Sequence, residues 1–179
     1  RRVLFRSLDL TGRTVPGYDF VSLDTFGSCA SQPCTANDGD GRDSDPTDPG
    51  DWITADEHAG TDPTTGTFFK DCASPLTELN SSWHGTHVAG TVGATANNGA
   101  GGVGINWTSR ILPVRALGKC GGYPSDIAEA MLWAAGLPVA GVPNNLNPAH
   151  VINLSLGGFG GCSMTIQDAI NQIVAAGKV

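Results

Sequence analysis

No uninterrupted apolar run in this sequence approaches the roughly 20 residues that a helix needs to cross a bilayer, so nothing in it reads as a membrane span. Its first residues do not read as a signal peptide either, since no apolar stretch with a small-residue cleavage site follows Arg1 and Arg2. Positive charge is scarce. Ten Lys and Arg against 17 Asp and Glu leave a net charge of −7, which argues against nucleic acid or an anionic membrane as partner. No Cys-x-x-Cys pair occurs, and the spacing of the five cysteines (Cys29, Cys34, Cys72, Cys120, Cys162) matches no zinc pattern. They suit an oxidising compartment better. Neither an internal repeat nor a low-complexity linker divides the chain.

What is present is the composition of a globular domain: 179 residues, 40% hydrophobic and 15% charged, enough for one sizeable core. The 25 Gly and 11 Pro are separated by apolar runs and therefore indicate many tight turns rather than disorder. Cys29 and Cys34 flank a four-residue loop and could pair. Cys120 and Cys162, each in a Gly-rich loop, could pair as well, which leaves Cys72 odd or free.

Arg1–Ser7 reads RRVLFRS, a basic block unlike the rest. It resembles one reading frame of a common sequencing-adapter oligonucleotide, so residues 1–7 are expected to be a non-native artefact. Fold reasoning is confined to residues 8–179, whose charge without those three arginines is three units more negative.

Residues 9–36 alternate short apolar pieces with turn residues. Asp38–Asp51, DGDGRDSDPTDPGD, is dominated by aspartate, and residues 52–80 continue polar. A segment of helical period begins near His84 and ends in the Asn97–Gly102 turn cluster. Ile111–Val114 is expected to be a buried strand. Asp126 stands as a helix N-cap with Glu129 three residues on, ahead of an apolar stripe of Ile127, Ala130, Met131 and Ala134. Val151–Leu156 is a second apolar strand. Thr165 with Asp168 is expected to cap a last helix burying Ile166, Ile170, Ile173 and Val174, with Gly177 as its stop and a new strand beginning at Val179. Strands alternating with helices imply an α/β fold with a parallel sheet covered by helices.

The stretch from His84 to Val92, HGTHVAGTV, resembles the histidine motif of the subtilase family. Arg115–Gly122 (RALGKCGG) resembles that family's strand leading into a Gly-rich substrate edge, and Val151–Gly158 (VINLSLGG) its substrate-binding strand. The likeness covers residues 9–179 and is strongest to secreted bacterial proteases with an Asp-rich insertion of the DGDGRDSDP kind. It implies a three-layer α/β/α fold with a mostly parallel sheet, incomplete at both ends here.

A serine hydroxyl is a poor nucleophile near neutral pH and needs a base within hydrogen-bond reach. By resemblance His84 is that base and later the general acid. Small residues at Gly85, Ala89 and Gly90 are expected to let its helix lie close under the active-site floor. Outside such a motif a lone histidine is more often a core residue bonded to a carbonyl. His87, one turn on, is expected to be buried and structural, and His58 and His150 to be surface residues. Ser155, Leu156 and Gly157 are expected to offer backbone groups to a substrate strand. Gly157 and Gly158 would leave room for the residue before the scissile bond, and Gly121 and Gly122 would form the opposite edge. A plain strand ending in a turn is compatible with the same residues.

Some motifs imitate the family's other signatures. Ser155 lacks the first Gly of a G-x-S-x-G elbow, because Asn153 stands there. Gly161–Thr165 comes too soon after VINLSLGG to be the nucleophile turn, so Ser163 and Thr165 read as helix-start residues. Leu23-Asp24-Thr25 follows PGYDF, where the family's catalytic aspartate precedes it. That aspartate is expected at about position 1 and the oxyanion Asn and nucleophilic Ser beyond Val179, which makes the 179-residue chain inert alone.

Asp38, Asp40, Asp43 and Asp45, with Asp51 further on, gather hard oxygen donors in one Gly-containing loop, as calcium prefers. The spacing is not that of an EF-hand. A solvated acidic loop is the alternative, and the resemblance favours structural calcium. Asn97–Gly102 is a weaker candidate. The whole reading is a secreted, monomeric, calcium-stabilised serine endopeptidase acting on polypeptides. The alternative is a relative that kept the fold as a calcium-binding scaffold and lost the chemistry.

Overall fold

The computed structural model describes residues 8–22, 34–70, 72, 78–158 and 160–179. At its centre two short strands run parallel, β1 (Tyr18–Asp19) and β2 (Val114–Arg115), with Tyr18 beside Val114 and Asp19 beside Arg115. A further parallel bridge joins Thr14 to Ile111. Parallel neighbours require a crossover between them. The intervening chain supplies it, carrying α1 (Ala55–Ala59) and α2 (His84–Gly93). Of the strand expected at Ile111–Val114, only Val114 lies in β2, while Ile111 makes the separate bridge to Thr14.

Two helices follow β2, α3 (Pro124–Ala134) and α4 (Met164–Ala175), and they pack on each other through Met131, Ala135 and Ile173. The main core lies between α3 and the strands. Tyr18, Phe20 and Trp133 stack as a tilted trio with ring centroids 5.1–5.8 Å apart, joined by Ala130 and Val139. Trp133 donates its indole N–H to the Pro143 carbonyl at 2.7 Å, so its polar edge is satisfied inside the core. A second, smaller core of Cys34, Ile53 and Phe69 lies beneath the polar excursion.

Within the described part of the excursion lies α1. Thr54 and Glu57 form a capping box: the Thr54 hydroxyl accepts from the Glu57 N–H at 3.2 Å, and the Glu57 carboxylate accepts from the Thr54 N–H at 2.9 Å. Cys72, within this excursion, is bonded to Cys120 with Cα atoms 6.0 Å apart. That pairing corrects the expectation of a Cys120–Cys162 bridge; Cys162 is an exposed free thiol, and Cys34 is disulfide-bonded, while Cys29, the partner expected for it, lies outside the described residues.

Three other expectations change. Asp126 is not the N-cap of α3. The helix begins at Pro124, whose fixed φ suits the first position, and Tyr123 is the cap. Asp126 is instead almost wholly buried, accepting from the Ser22 N–H (2.9 Å) and hydroxyl (2.6 Å) and pairing with Arg42 at 2.5 Å. The cap of α4 is Ser163, whose hydroxyl takes the Ile166 N–H at 3.4 Å, so Ser163 and Thr165 do stand at a helix start. Its buried side is Ala169 and Ile173, with Ile166 half-buried and Ile170 and Val174 exposed. Finally, Val151–Leu156 forms no strand among the described residues. Its one ladder contact is with Val179, which donates to His150 (3.2 Å) and accepts from Ile152 (2.7 Å). That alternation is the parallel pattern expected of a strand beginning at Val179. Residues 1–7 and Leu23-Asp24-Thr25 lie outside the described residues.

Candidate active site

His84 is the first residue of α2, and its imidazole is exposed. The helix starts abruptly. Trp83 holds φ 50°, in the left-handed region, and offers no side-chain cap. Ser82 takes over that role from one residue further out: its hydroxyl accepts from the His84 N–H at 3.3 Å. Ser82 is itself gripped by Asp51, which accepts from the Ser82 N–H at 2.6 Å and from its hydroxyl at 2.7 Å.

The other end of α2 is equally well satisfied. Arg13 donates through Nε to the Gly93 carbonyl at 2.9 Å and through Nη1 and Nη2 to Trp107 (2.6 Å) and Asn106 (2.8 Å). Ile105 and Asn106 donate to the carbonyls of Thr91 and Val92. A cation at the C-terminus and an anion near the N-terminus both complement the helix dipole. The helix carrying His84 is thus fixed at both ends by side chains remote in sequence.

Two expectations about α2 need correction. Methyl groups placed at Gly85 or Gly90 would meet nothing within 4 Å, so close packing does not account for these glycines among the described residues. Close approach occurs at Gly93, against Ile111 and Arg13. His87 is exposed rather than buried, because it lies on the solvent side of a helix whose buried residues are Ala89 and Gly93. His58 is half-buried with Nδ1 unpartnered, while His150 is exposed as expected.

The residues expected to bind substrate fall on two edges. Ser155, Leu156 and Gly157 are exposed, and no backbone group from residue 153 to 158 bonds to another backbone group among the described residues. Side chains added at Gly157 or Gly158 would enter open space. Gly121 and Gly122 close a tight loop, with Gly118 and Gly121 bridged. Gly121 has φ +117°, and a Cβ at Gly122 would come within 2.5 Å of the Ala116 carbonyl oxygen. The loop's own geometry therefore demands glycine at both positions. No backbone hydrogen bond joins this loop to residues 153–158.

The loop is held from beneath. Lys119 is buried, its ammonium 2.5 Å from the Glu57 carboxylate and over the rings of Trp52 and Phe69 at 5.3 and 5.1 Å. Its N–H donates to Thr35 at 2.9 Å.

Asp38, Asp40, Asp43 and Asp45, with Thr47, line a cavity of about 60 Å³. Each of Asp38, Asp43 and Asp45 accepts from the N–H two residues on, and Asp38 also pairs with Arg115 at 2.5 Å. No three ligating side chains converge on one point among the described residues. In charge and donor chemistry the four carboxylates fit a hard cation. Asp51 is not among the residues lining this cavity; its carboxylate is committed to Ser82. Behind the loop, Asp19 is buried against Arg115 at 2.5 Å, and burial pushes its carboxyl up to about 7 against the pull of that guanidinium.

Sequence reasoning passed over Ser82 as a helix-fixing residue and Arg13 as a C-terminal clamp. A hydroxyl two residues before the motif was a usable local signal for the first; nothing local signalled the second.

The parallel strand pair and the helices packed around it define an α/β fold, with His84 exposed at the start of one helix. The subtilase family model matches residues 57–179, and the chain belongs to that family. It is 48% identical over 169 residues to an extracellular protease of Xanthomonas campestris, covering 94% of this chain and 25% of that protein. To an extracellular basic protease of Dichelobacter nodosus it is 46% identical over 173 residues, covering 96% and 25%. A solved protease structure from Pseudoalteromonas arctica superposes with a TM-score of 0.79 at 48% identity, over 96% of this chain and 44% of that one. The chain thus spans about a quarter of the length of the curated relatives it matches.

Proposed function

We propose that this chain carries the general base and one substrate edge of a secreted serine endopeptidase. The observation that supports it most is the exposed His84 imidazole at the first position of a doubly anchored helix, within the subtilase motif. In the reaction His84 accepts the proton of a serine hydroxyl as that oxygen attacks the scissile carbonyl. It then delivers the proton to the leaving amine. No bond from its imidazole to a carboxylate or a serine occurs among the described residues, and this reading assigns neither the orienting acid nor the nucleophile to any of them. On this reading the 179-residue chain alone hydrolyses no peptide.

The substrate backbone pairs with Ser155, Leu156 and Gly157 as an added antiparallel strand, using the N–H and C=O groups that find no backbone partner. Gly121 and Gly122 form the facing edge. Secretion is supported by the Cys72–Cys120 bond and by relatives named as extracellular. Asp38, Asp40, Asp43 and Asp45 line the cavity offered to a structural calcium ion, which would have to draw their carboxylates together, since no three of them converge here. The protein acts as a monomer on polypeptides.

The test is the full-length gene product. A serine-reactive sulfonyl fluoride should label it once per molecule and abolish peptide hydrolysis, and the 179-residue chain should show neither labelling nor hydrolysis. An unlabelled, inert full-length protein that still binds calcium would favour the scaffold alternative.

A further inference from the structure

We infer that Asp51 is a positioning residue for His84, acting through Ser82, rather than a member of the acidic cation loop. The inference rests on His84 being the general base. Both oxygens of Asp51 are engaged by Ser82, one by the backbone N–H at 2.6 Å and one by the hydroxyl at 2.7 Å. With its O–H donated to Asp51 in a hydrogen bond, the Ser82 hydroxyl has its lone pairs free for the His84 N–H, 3.3 Å away. The chain of bonds thus runs carboxylate to hydroxyl to the backbone of the reacting residue.

Nothing nearer does this work. The N-cap itself, Trp83, sits in the left-handed region without a capping side chain, so the first turn of α2 depends on Ser82. The neighbours of Asp51 are tightly set as well. Gly50 has φ +117°, and a Cβ there would lie 2.4 Å from the Ser81 hydroxyl and 2.9 Å from the Trp52 ring. Its carbonyl accepts from Asn37 at 2.8 Å, and its N–H donates to Asp48 at 2.9 Å. Residues 50–52 are therefore seated on residues 81–82 as a unit. A general base misplaced by about 1 Å can lose about two orders of magnitude in rate, so a clamp on its backbone bears on turnover more than on substrate affinity.

The experiment uses the full-length enzyme with Asp51→Ala, Asp51→Asn, Ser82→Ala and the double Asp51→Ala/Ser82→Ala variant. Turnover is expressed per active site titrated with an acylating inhibitor. Expected are falls in kcat of about tenfold for Asp51→Ala and Ser82→Ala, with KM within twofold. Asp51→Asn should fall less, since its amide oxygen still accepts from the Ser82 N–H. The double variant should lose little more than either single one, because both changes break the same chain. Additive losses, a change in KM alone, or an unchanged kcat in Asp51→Ala would overturn the inference. So would a loss of titratable sites with unchanged kcat per remaining site, which would make Asp51 a merely structural group. His84→Ala separates the two levels: if it retains turnover, the base assignment fails; if it abolishes turnover while Asp51→Ala is silent, only the positioning role fails.

Discussion

The Lys119 ammonium lies 2.5 Å from the Glu57 carboxylate, and both side chains are buried. This pair ties the Gly118–Gly122 loop to the start of α1, 62 residues away in sequence. Removing one member leaves the other charge buried and uncompensated, which costs about 3–5 kcal/mol. Glu57→Ala should therefore lower the unfolding free energy of the full-length protein by about that much, part of it from the lost capping box. Chemical denaturation followed by tryptophan fluorescence measures it. Lys119→Met, which retains an apolar stem against Trp52 and Phe69, should be similarly destabilising because Glu57 is then left alone.

The Cys72–Cys120 bond closes a loop of 48 residues beneath the same glycine turn. Cross-links of this span commonly contribute about 2–5 kcal/mol. Cys72→Ser should lower the melting temperature and, if the loop forms a substrate edge, raise KM before it lowers kcat. Parallel thermal and kinetic measurements on that variant test both effects.

Asp19 supplies a pH dependence. Its carboxyl is raised from an ordinary 3.8 to about 7 by burial, opposed by Arg115. Between those two values the native chain holds a proton that the unfolded chain has released. The Asp19 contribution is therefore greatest below about pH 4 and declines as pH rises towards about 7. Relative to Asp19→Asn, which stays neutral, the wild type should lose stability across that range in denaturant midpoints. A relative gain would show that the Arg115 guanidinium outweighs burial and keeps Asp19 ionised.

Much of this was written locally in the chain. HGTHVAGTV begins a helix where the motif said one should begin, and the stripe of α3 is buried at Ala130, Met131 and Ala134. Errors arose where a distant partner decides a residue's use. Asp126 has the chemistry of a cap, but Ser22 and Arg42 draw it inside the helix. Sequence position groups Asp51 with the aspartates of the acidic loop, but its carboxylate meets Ser82 and does not line their cavity. Local character matches Cys120 to Cys162, but the path of the excursion around Ile53 and Phe69 brings Cys72 to it. Val151–Leu156 has strand composition, yet its pairing depends on what lies beside it, and Val179 supplies one rung.

Calcium offers another check. If Asp38, Asp40, Asp43 and Asp45 share an ion, removal with EGTA should lower the melting temperature of the full-length protein, and Asp43→Asn should weaken calcium binding in a titration. Asp51→Asn should leave that affinity unchanged, since its carboxylate faces Ser82.

The most direct measurement is the acylation rate of full-length His84→Ala with an activated ester, followed by stopped flow. A general base at this position predicts a fall of about 10⁴-fold or more with the fold intact by circular dichroism. Acylation within tenfold of the wild-type rate would contradict it.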